Sequence, residues 1–159
     1  KLEWCDIGDV IGVALRRLAA VLGARPITVT VASDVPLIKM DFVLMEQVLV
    51  NLLDNACAYT PPGSALAITA TVAGAWVHID LSDHGSGIAP EALAHIFDKF
   101  YRVPGTAAGG TGLGLSICRG LVEAHGGTLT AHNRPEGGMT FSIRLPKPAQ
   151  PPRVQEAGL

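Results

Sequence analysis

The longest helical pattern in the chain is DFVLMEQVLVNLLDNACAY, residues 41–59. Asp41 is a suitable N-cap for this helix, and the run Pro61-Pro62-Gly63 ends it. Apolar residues recur at helical spacing along one side, and these are Leu44, Val48, Leu49, Leu52 and Leu53. The pattern therefore predicts an amphipathic helix that packs its leucine side into a core.

A polar stripe follows the other side of this helix. Asn51, Asn55 and Tyr59 are spaced four residues apart, so they lie on one face. Two asparagines in mid-helix cost helix propensity relative to alanine. The stripe fits either a solvated helix face or oxygen ligands for a Mg²⁺-bound polyphosphate.

The remaining patterns predict a mixture of helices and strands. We expect helices at 7–22, 90–97 (a short piece) and 113–125, an extended piece at 37–40, and strands at 27–32, 66–72, 76–81, 128–132 and 139–145. Because there is no regular βαβ alternation, the order favours an α+β sheet with helices on one face over a doubly wound fold. Residues 1–146 are the predicted domain, and the proline-rich residues 147–159 are a predicted disordered tail.

Composition is that of a folded domain with little charge. Of the 159 residues, 48% are hydrophobic and 16% are charged, which excludes a highly charged disordered chain. The formal net charge is −2, so charge alone would not hold a nucleic acid or an anionic membrane. We expect neither partner for this piece of chain. Glycine, with 18 residues, exceeds its usual share of roughly 7%.

Two glycine clusters suggest how a ligand could be held without lysines. In DHGSGI, residues 83–88, an aspartate at the end of a strand precedes two glycines, and its carboxylate could accept from an adenine amine. In GGTGLGL, residues 109–115, glycines open a helix, whose N-terminal N–H groups suit phosphates. The first cluster fits a tight turn with an exposed aspartate equally well, and the second fits a hinge. Neither the dinucleotide fingerprint nor the P-loop is present.

Taken in order, these segments resemble the ATP-binding catalytic domain of sensor histidine kinases. The resemblance covers nearly the whole chain, and within the family it is closest to the potassium-responsive, Kdp-type sensor kinases. It implies a two-layer α/β sandwich of the Bergerat type with a mixed sheet, the fold of gyrase, Hsp90 and MutL ATPases. The matching segments are NLLDNA at 51–56, DHGSGI at 83–88, FDKFYR at 97–102, GTGLGL at 110–115 and GGMTFSIRLP at 137–146.

The resemblance also implies a role for individual residues. Asn55, with Asn51 close by, would ligate Mg²⁺, while Tyr59 would lie against the adenine and Asp83 would accept from its amine. Residues 102–111 would form a lid over ATP, and Phe97 and Phe100 would pack its hinge. The other implied contacts to ATP come from Gly85, Gly87, Ile88, Arg102, Gly110, Thr111, Gly112, Leu113, Gly114 and Thr140.

Two departures from the family pattern leave the activity open. Ala58 stands where relatives usually carry a lysine, and Lys99 and Arg102 are the cations that could substitute for it in catalysis. Asn51 stands where hydrolytic members of the fold carry a carboxylate that activates water. We therefore expect a protein-histidine kinase domain that uses Mg-ATP, with a weak or inactive nucleotide-binding signalling module as the alternative and a generic ATPase disfavoured.

The resemblance places the phosphate acceptor outside this chain. None of the five histidines stands in the His-Glu/Asp-x-x-Arg/Lys-Thr-Pro setting that such kinases phosphorylate. The implied partners are a histidine-bearing dimerisation domain of the same parent and, indirectly, a response regulator. The expected location is the cytosolic part of an inner-membrane sensor. An odd count of three cysteines without paired spacing predicts reduced, buried thiols.

Overall fold

The computed structural model describes residues 1–103 and 114–149 of the chain. Its helices are α1 (Ile7–Arg17), α2 (Ala19–Leu22), α3 (Phe42–Ala58), α4 (Pro90–Leu93) and α5 (Gly114–Ala124). Its strands are β1 (Glu3–Cys5), β2 (Ile27–Val31), β3 (Ile38–Met40), β4 (Leu66–Ala73), β5 (Trp76–Asp83), β6 (Thr128–Asn133) and β7 (Met139–Pro146). The predicted tail falls almost wholly outside these residues.

Five strands form the main sheet in the order β2-β4-β5-β7-β6. β2 runs parallel to β4 and every other neighbouring pair is antiparallel, so the sheet is mixed. The register pairs Ser82 of β5 with Thr140 of β7, which places the end of β5 beside the beginning of β7. β1 and β3 form a separate two-stranded sheet.

The core lies between one face of this sheet and the helices. Burial alternates along β5, where the inward residues are Val77, Ile79, Leu81 and Asp83. α3 packs against α1 on one side and α5 on the other, and all three contribute to the same buried cluster. The predicted α+β architecture, with a mixed sheet and helices on one face, is confirmed.

The buried side of α3 differs from the predicted one at its first turn. Val48, Leu49, Leu52 and Leu53 are buried as expected, but Leu44 is 39% exposed. Met45 takes the inward position instead. The buried residues Val48 and Leu49 follow Met45 by three and four positions, so Met45 lies on the same helix face, whereas Leu44 lies at the edge of that face.

Three local elements also differ from expectation. The helix predicted over 7–22 is broken at Leu18, whose backbone leaves helical geometry although its side chain remains buried. Apolar spacing continues across the break, so periodicity alone does not reveal it. β1 was not predicted, because a strand of three residues shows no alternation and depends on pairing with β3, which is distant in sequence. The helical piece predicted at 90–97 is confined to α4.

None of the helices within 1–103 and 114–149 is long and apolar enough to cross a bilayer.

Cys118 should make the fold sensitive to alkaline pH. It is fully buried on α5, and burial raises the pKa of its thiol from an ordinary 9.0 to about 11. The folded state therefore retains a proton that the unfolded state loses at lower pH, so this contribution to stability is complete below pH 9 and lost as pH rises towards 11. Urea titrations at pH 8 and pH 10.5 should show a larger fall in the unfolding free energy for the parent chain than for Cys118→Ala. Equal falls would contradict the assignment.

Candidate functional site

A pocket opens where the end of α3 meets the end of β5 and the beginning of β7. It encloses about 240 Å³ of space that is continuous with solvent. Its lining residues are Asn55, Ala56, Tyr59, Asp83, Gly87, Ile88, Met139 and Phe141. Five of these, Asn55, Tyr59, Asp83, Gly87 and Ile88, belong to the set predicted from the sequence, and the fold brings them together from two segments.

α3 holds Asn55 and Tyr59 one turn apart at its C-terminal end. Tyr59 is the C-cap, and its backbone N–H donates to the carbonyl of Asn55 at 3.1 Å. The guanidinium of Arg25 anchors this helix end by donating to the Thr60 hydroxyl at 2.8 Å and to the Ser64 hydroxyl at 2.8 Å. The end of α3 that carries Asn55 and Tyr59 is thus held by its own backbone hydrogen bond and by the bonds from Arg25 to the residues that follow the helix.

Asp83 is a buried carboxylate whose two oxygens have different surroundings. Its side chain lines the pocket, and the residue is only 4% exposed. Oδ1 accepts from the backbone N–H of Gly85 at 3.0 Å and from that of Met139 at 3.1 Å. Oδ2 accepts no hydrogen bond from any residue the structure describes. One oxygen therefore fixes the side chain, and the other is available to a ligand.

Close backbone packing explains two glycines around Asp83. A Cβ added at Gly85 would lie 2.9 Å from the Thr60 side chain and 3.1 Å from the carbonyl oxygen of Tyr59. A Cβ added at Gly138, where φ is +87°, would overlap the carbonyl oxygen of Asp83 and lie 2.9 Å from its Oδ1. Neither site has space for a side chain, so these glycines let the segment after β5 lie directly against α3 and β7.

The two asparagines of α3 have different environments. The Oδ1 atom of Asn51 accepts from the Gln47 side chain at 2.9 Å. The Oδ1 atom of Asn55 is buried without a hydrogen-bond partner among the described residues.

An unpaired buried amide oxygen that lines a pocket suits a hard cation. Mg²⁺ commonly takes one or two protein oxygens and completes its shell with water and phosphate oxygens. Asn55 fits that role directly. Asn51 would first have to give up its bond from Gln47.

Other predicted residues lie outside the pocket lining. Thr140 is buried, but its hydroxyl is paired with that of Ser82 at 2.9 Å, since alternate residues of β7 face opposite ways. Lys99 and Arg102 are exposed and make no hydrogen bond or ion pair within the described chain. Gly114 is the exposed first residue of α5. Gly110, Thr111, Gly112 and Leu113 lie outside the described residues, as does most of the predicted lid.

The two phenylalanines predicted to pack the hinge of the lid have different environments, and most of the lid itself lies outside the described residues. Phe97 packs edge-on against Phe141 with ring centroids 6.4 Å apart, so it does join the core. Phe100 is 69% exposed and has a φ of +66°. Among the described residues, its side chain is exposed and does not join the buried core.

Comparison with known proteins identifies the family. The family model for histidine kinase-, DNA gyrase B-, and HSP90-like ATPases matches residues 40–149. The chain belongs to this family. A relative, sensor protein KdpD of Escherichia coli (strain K12), is 43% identical over 152 residues, which cover 95% of this chain and 17% of KdpD. The chain thus spans about a sixth of that relative.

Solved structures of histidine kinases share the fold. A solved chain of the mycobacterial sensor histidine kinase MprB superimposes with a TM-score of 0.81 at 27% identity, covering 91% of this chain and 97% of the solved chain. Full-length ShkA in complex with AMPPNP also gives 0.81 at 28% identity, covering 96% of this chain and 32% of ShkA. The predicted resemblance to the ATP-binding domain of Kdp-like sensor histidine kinases is confirmed.

Sequence reasoning missed several residues of this ATPase-family pocket. Met139 and Phe141 line it, and the alternation of β7 could have indicated that they share a face opposite to Thr140. Ala56 also lines it, as the neighbour of Asn55. The anchoring role of Arg25 had no sequence signal, because its partners lie more than 30 positions further along the chain.

Proposed function

We propose that the chain binds Mg-ATP in this pocket and transfers the γ-phosphate to a histidine on a separate dimerisation domain of a two-component sensor kinase. One observation carries the proposal: the same pocket is lined by a buried carboxylate with an available oxygen and by a buried amide oxygen that lacks a partner. The first is Asp83 and the second is Asn55. An adenine amine and a phosphate-bound cation are their natural complements.

The base would occupy the part of the pocket next to Asp83. Oδ2 of Asp83 would accept from the adenine amine, and a hydrogen bond to a charged group contributes roughly 1.5–3 kcal/mol. Tyr59, Ile88 and Met139 supply the apolar walls that a flat base needs. Because Oδ1 is held by two backbone N–H groups, the carboxylate is oriented before the ligand arrives.

The phosphates would extend towards Asn55 and the beginning of α5. Asn55 would hold Mg²⁺ through Oδ1, and the bound ion neutralises phosphate charge. N–H groups at the N-terminus of α5, from Gly114 onwards, favour anions. Lys99 and Arg102 are exposed cations without partners in the described part of the chain, so both remain free to meet the phosphates.

The residues at the site favour transfer over hydrolysis. An amide cannot take a proton from water, and the Asn51 amide oxygen already accepts from Gln47. A neutral imidazole needs no such base, because its nitrogen carries a lone pair that can attack the γ-phosphorus directly. Transfer then depends mainly on positioning and on charge neutralisation. The acceptor would be the histidine-bearing domain of the parent, on the cytosolic side of an inner-membrane sensor, and a response regulator would receive the phosphate afterwards.

Asn55→Ala should remove most of the Mg²⁺ dependence of ATP binding without harming the fold. The Asn55 amide oxygen has no partner in the described structure, so its loss leaves the unfolding free energy within about 1 kcal/mol of the parent value. We expect the affinity for Mg-ATP to fall at least tenfold, with little change in the affinity measured in EDTA. Calorimetric titration with and without Mg²⁺ gives both numbers. Asn51→Ala should have the smaller effect, and the reverse order would contradict the assignment of Asn55.

The alanine at position 58 favours the alternative function, a nucleotide-binding module with weak or no phosphate transfer. It is exposed at the last position of α3, where relatives usually carry a lysine. Ala58→Lys would add a cation near the pocket at a helix C-terminus, where a positive charge is tolerated. If charge limits the reaction, label transfer from γ-labelled ATP to a separately produced histidine-bearing hairpin should rise several-fold. Ala58→Gln, which adds length without charge, should leave the rate unchanged, and an equal rise in both variants would exclude the charge explanation.

A further inference from the structure

One wall of the pocket is held in place by two residues at the end of β6, Asn133 and Arg134, that do not themselves line it. The segment 83–88 leaves the end of β5, crosses the beginning of β7 at Gly138, and reaches the end of β6 on the far side. At Gly138 the two backbones are so close that a Cβ would overlap the carbonyl oxygen of Asp83. The side chains of Asn133 and Arg134, at the end of β6, hydrogen-bond to the two ends of this segment.

Asn133 hydrogen-bonds to the backbone of Ile88, at the far end of the segment. Its Oδ1 accepts from the backbone N–H of Ile88 at 2.9 Å, and its Nδ2 donates to the carbonyl of Ile88 at 2.6 Å. Both backbone polar groups of a pocket-lining residue are therefore satisfied by one carboxamide. The preceding Gly87 has a φ of +77°, and a Cβ there would lie 2.7 Å from the Asn133 oxygen, so this pairing also requires the glycine.

Arg134 hydrogen-bonds to Asp83 and His84, at the near end of the segment. Its Nη1 donates to the carbonyl of Asp83 at 2.9 Å and to Nδ1 of His84 at 3.0 Å. Its own backbone N–H donates to the carbonyl of Gly138 at 2.8 Å, which closes the turn between β6 and β7. The guanidinium thus ties the backbone of the residue that faces the ligand to a rigid hairpin.

We propose that Asn133 and Arg134 are positioning residues that set the selectivity of the pocket for adenine. This inference rests on the proposed function of the site. Neither side chain lines the pocket, but together they fix both ends of the segment that carries Asp83 and Ile88. The direction of Asp83 Oδ2 decides which base is accepted, because a carboxylate oxygen favours the amine of adenine and repels the carbonyl of hypoxanthine.

The test compares ATP with inosine triphosphate, which carries an oxygen in place of the adenine amine. Dissociation constants for both are measured by calorimetry on the parent chain, Asn133→Ala, Arg134→Ala and the control Thr130→Ala, which alters an exposed residue of the same strand. Asn133→Asp is included because it keeps the shape and loses the Nδ2 donor. Each protein is measured at a temperature at which circular dichroism shows it to be folded.

We expect the parent chain and Thr130→Ala to prefer ATP by at least tenfold. In the Asn133 and Arg134 variants, the affinity for ATP should fall about tenfold. The preference for ATP, measured as the ratio of the dissociation constant of inosine triphosphate to that of ATP, should fall at least threefold. A purely structural role would leave that ratio unchanged in the folded protein. An unchanged ratio in variants that still bind ATP overturns this inference alone, and so does a failure of all three variants to fold. No binding of ATP by the parent chain overturns the proposed function and this inference with it.

Discussion

Replacing Asp83 by asparagine is expected to weaken ATP binding by roughly 100-fold or more while the domain remains folded. Asparagine retains an Oδ1 atom that can accept from the N–H groups of Gly85 and Met139, so the segment after β5 keeps its support. The NH₂ group replaces Oδ2 and would face the amine of the base. The charge-assisted hydrogen bond between the carboxylate and the adenine amine is then lost, because the asparagine NH₂ group and the adenine amine are both donors and face each other. Affinity is lost with little effect on the fold.

Asp83→Ala separates the two functions of the carboxylate. It removes the ligand contact and also leaves the N–H groups of Gly85 and Met139 without their acceptor, which costs about 1–3 kcal/mol for each buried group. We expect this variant to lose both affinity and unfolding free energy. Asp80→Asn is the matched control, since it removes the same charge from a half-buried position of the same strand, away from the pocket.

Affinity for ATP is measured by calorimetry and unfolding free energy by urea titration for each variant. Asp83→Asn should have the unfolding free energy of the parent chain and the weak ATP affinity of Asp83→Ala. If Asp83→Asn bound ATP as tightly as the parent chain does, the adenine assignment would be wrong.

Gly138→Ala should both destabilise the domain and abolish the pocket. The added Cβ would overlap the backbone of Asp83, which cannot move without displacing the start of β7 or the segment 83–88. Overpacking of this kind costs typically 1–3 kcal/mol, and a left-handed backbone adds about 1–2 kcal/mol for a residue with a Cβ. We expect a loss of about 3 kcal/mol in unfolding free energy, together with loss of detectable ATP binding at micromolar protein.

Gly63→Ala isolates the backbone contribution from the steric one. Gly63 has a φ of +83°, close to the +87° of Gly138, but nothing lies within 4 Å of the position that its Cβ would take. This variant should lose only the backbone contribution of about 1–2 kcal/mol and keep its affinity for ATP. Equal losses in the two variants would show that the close crossing at Gly138 does not determine the effect.

Local patterns predicted much of this structure. The N-cap at Asp41, the leucine side of α3 from Val48 onwards and the aspartate at the end of β5 are all set by neighbouring residues, and the structure has them where expected. The shared face of Asn51 and Asn55 also follows from helical geometry. Which of the two has a free oxygen does not, because that depends on the rotamer of Gln47 and on packing against α5.

What sequence could not provide is the path of the chain over the pocket. The crossing at Gly138 and the contacts of Asn133 and Arg134 with Ile88 and Asp83 join positions about 45 to 56 residues apart. Such contacts arise only once the strand order is known, since β6 and β5 are separated by β7. The glycines were predicted to let the backbone approach a ligand, and this stays a prediction. At Gly85 and Gly138 the structure shows a close approach between parts of the protein itself.

The most direct test of the account is phosphate transfer itself. The chain is mixed with Mg²⁺, γ-labelled ATP and a separately produced histidine-bearing hairpin domain of a Kdp-type sensor kinase. The account predicts label on the hairpin that is stable in alkali and labile in acid, as expected of phosphohistidine, and none when Asp83→Asn replaces the parent chain. Binding of ATP without label on the hairpin, or release of free phosphate in place of transfer, would contradict it.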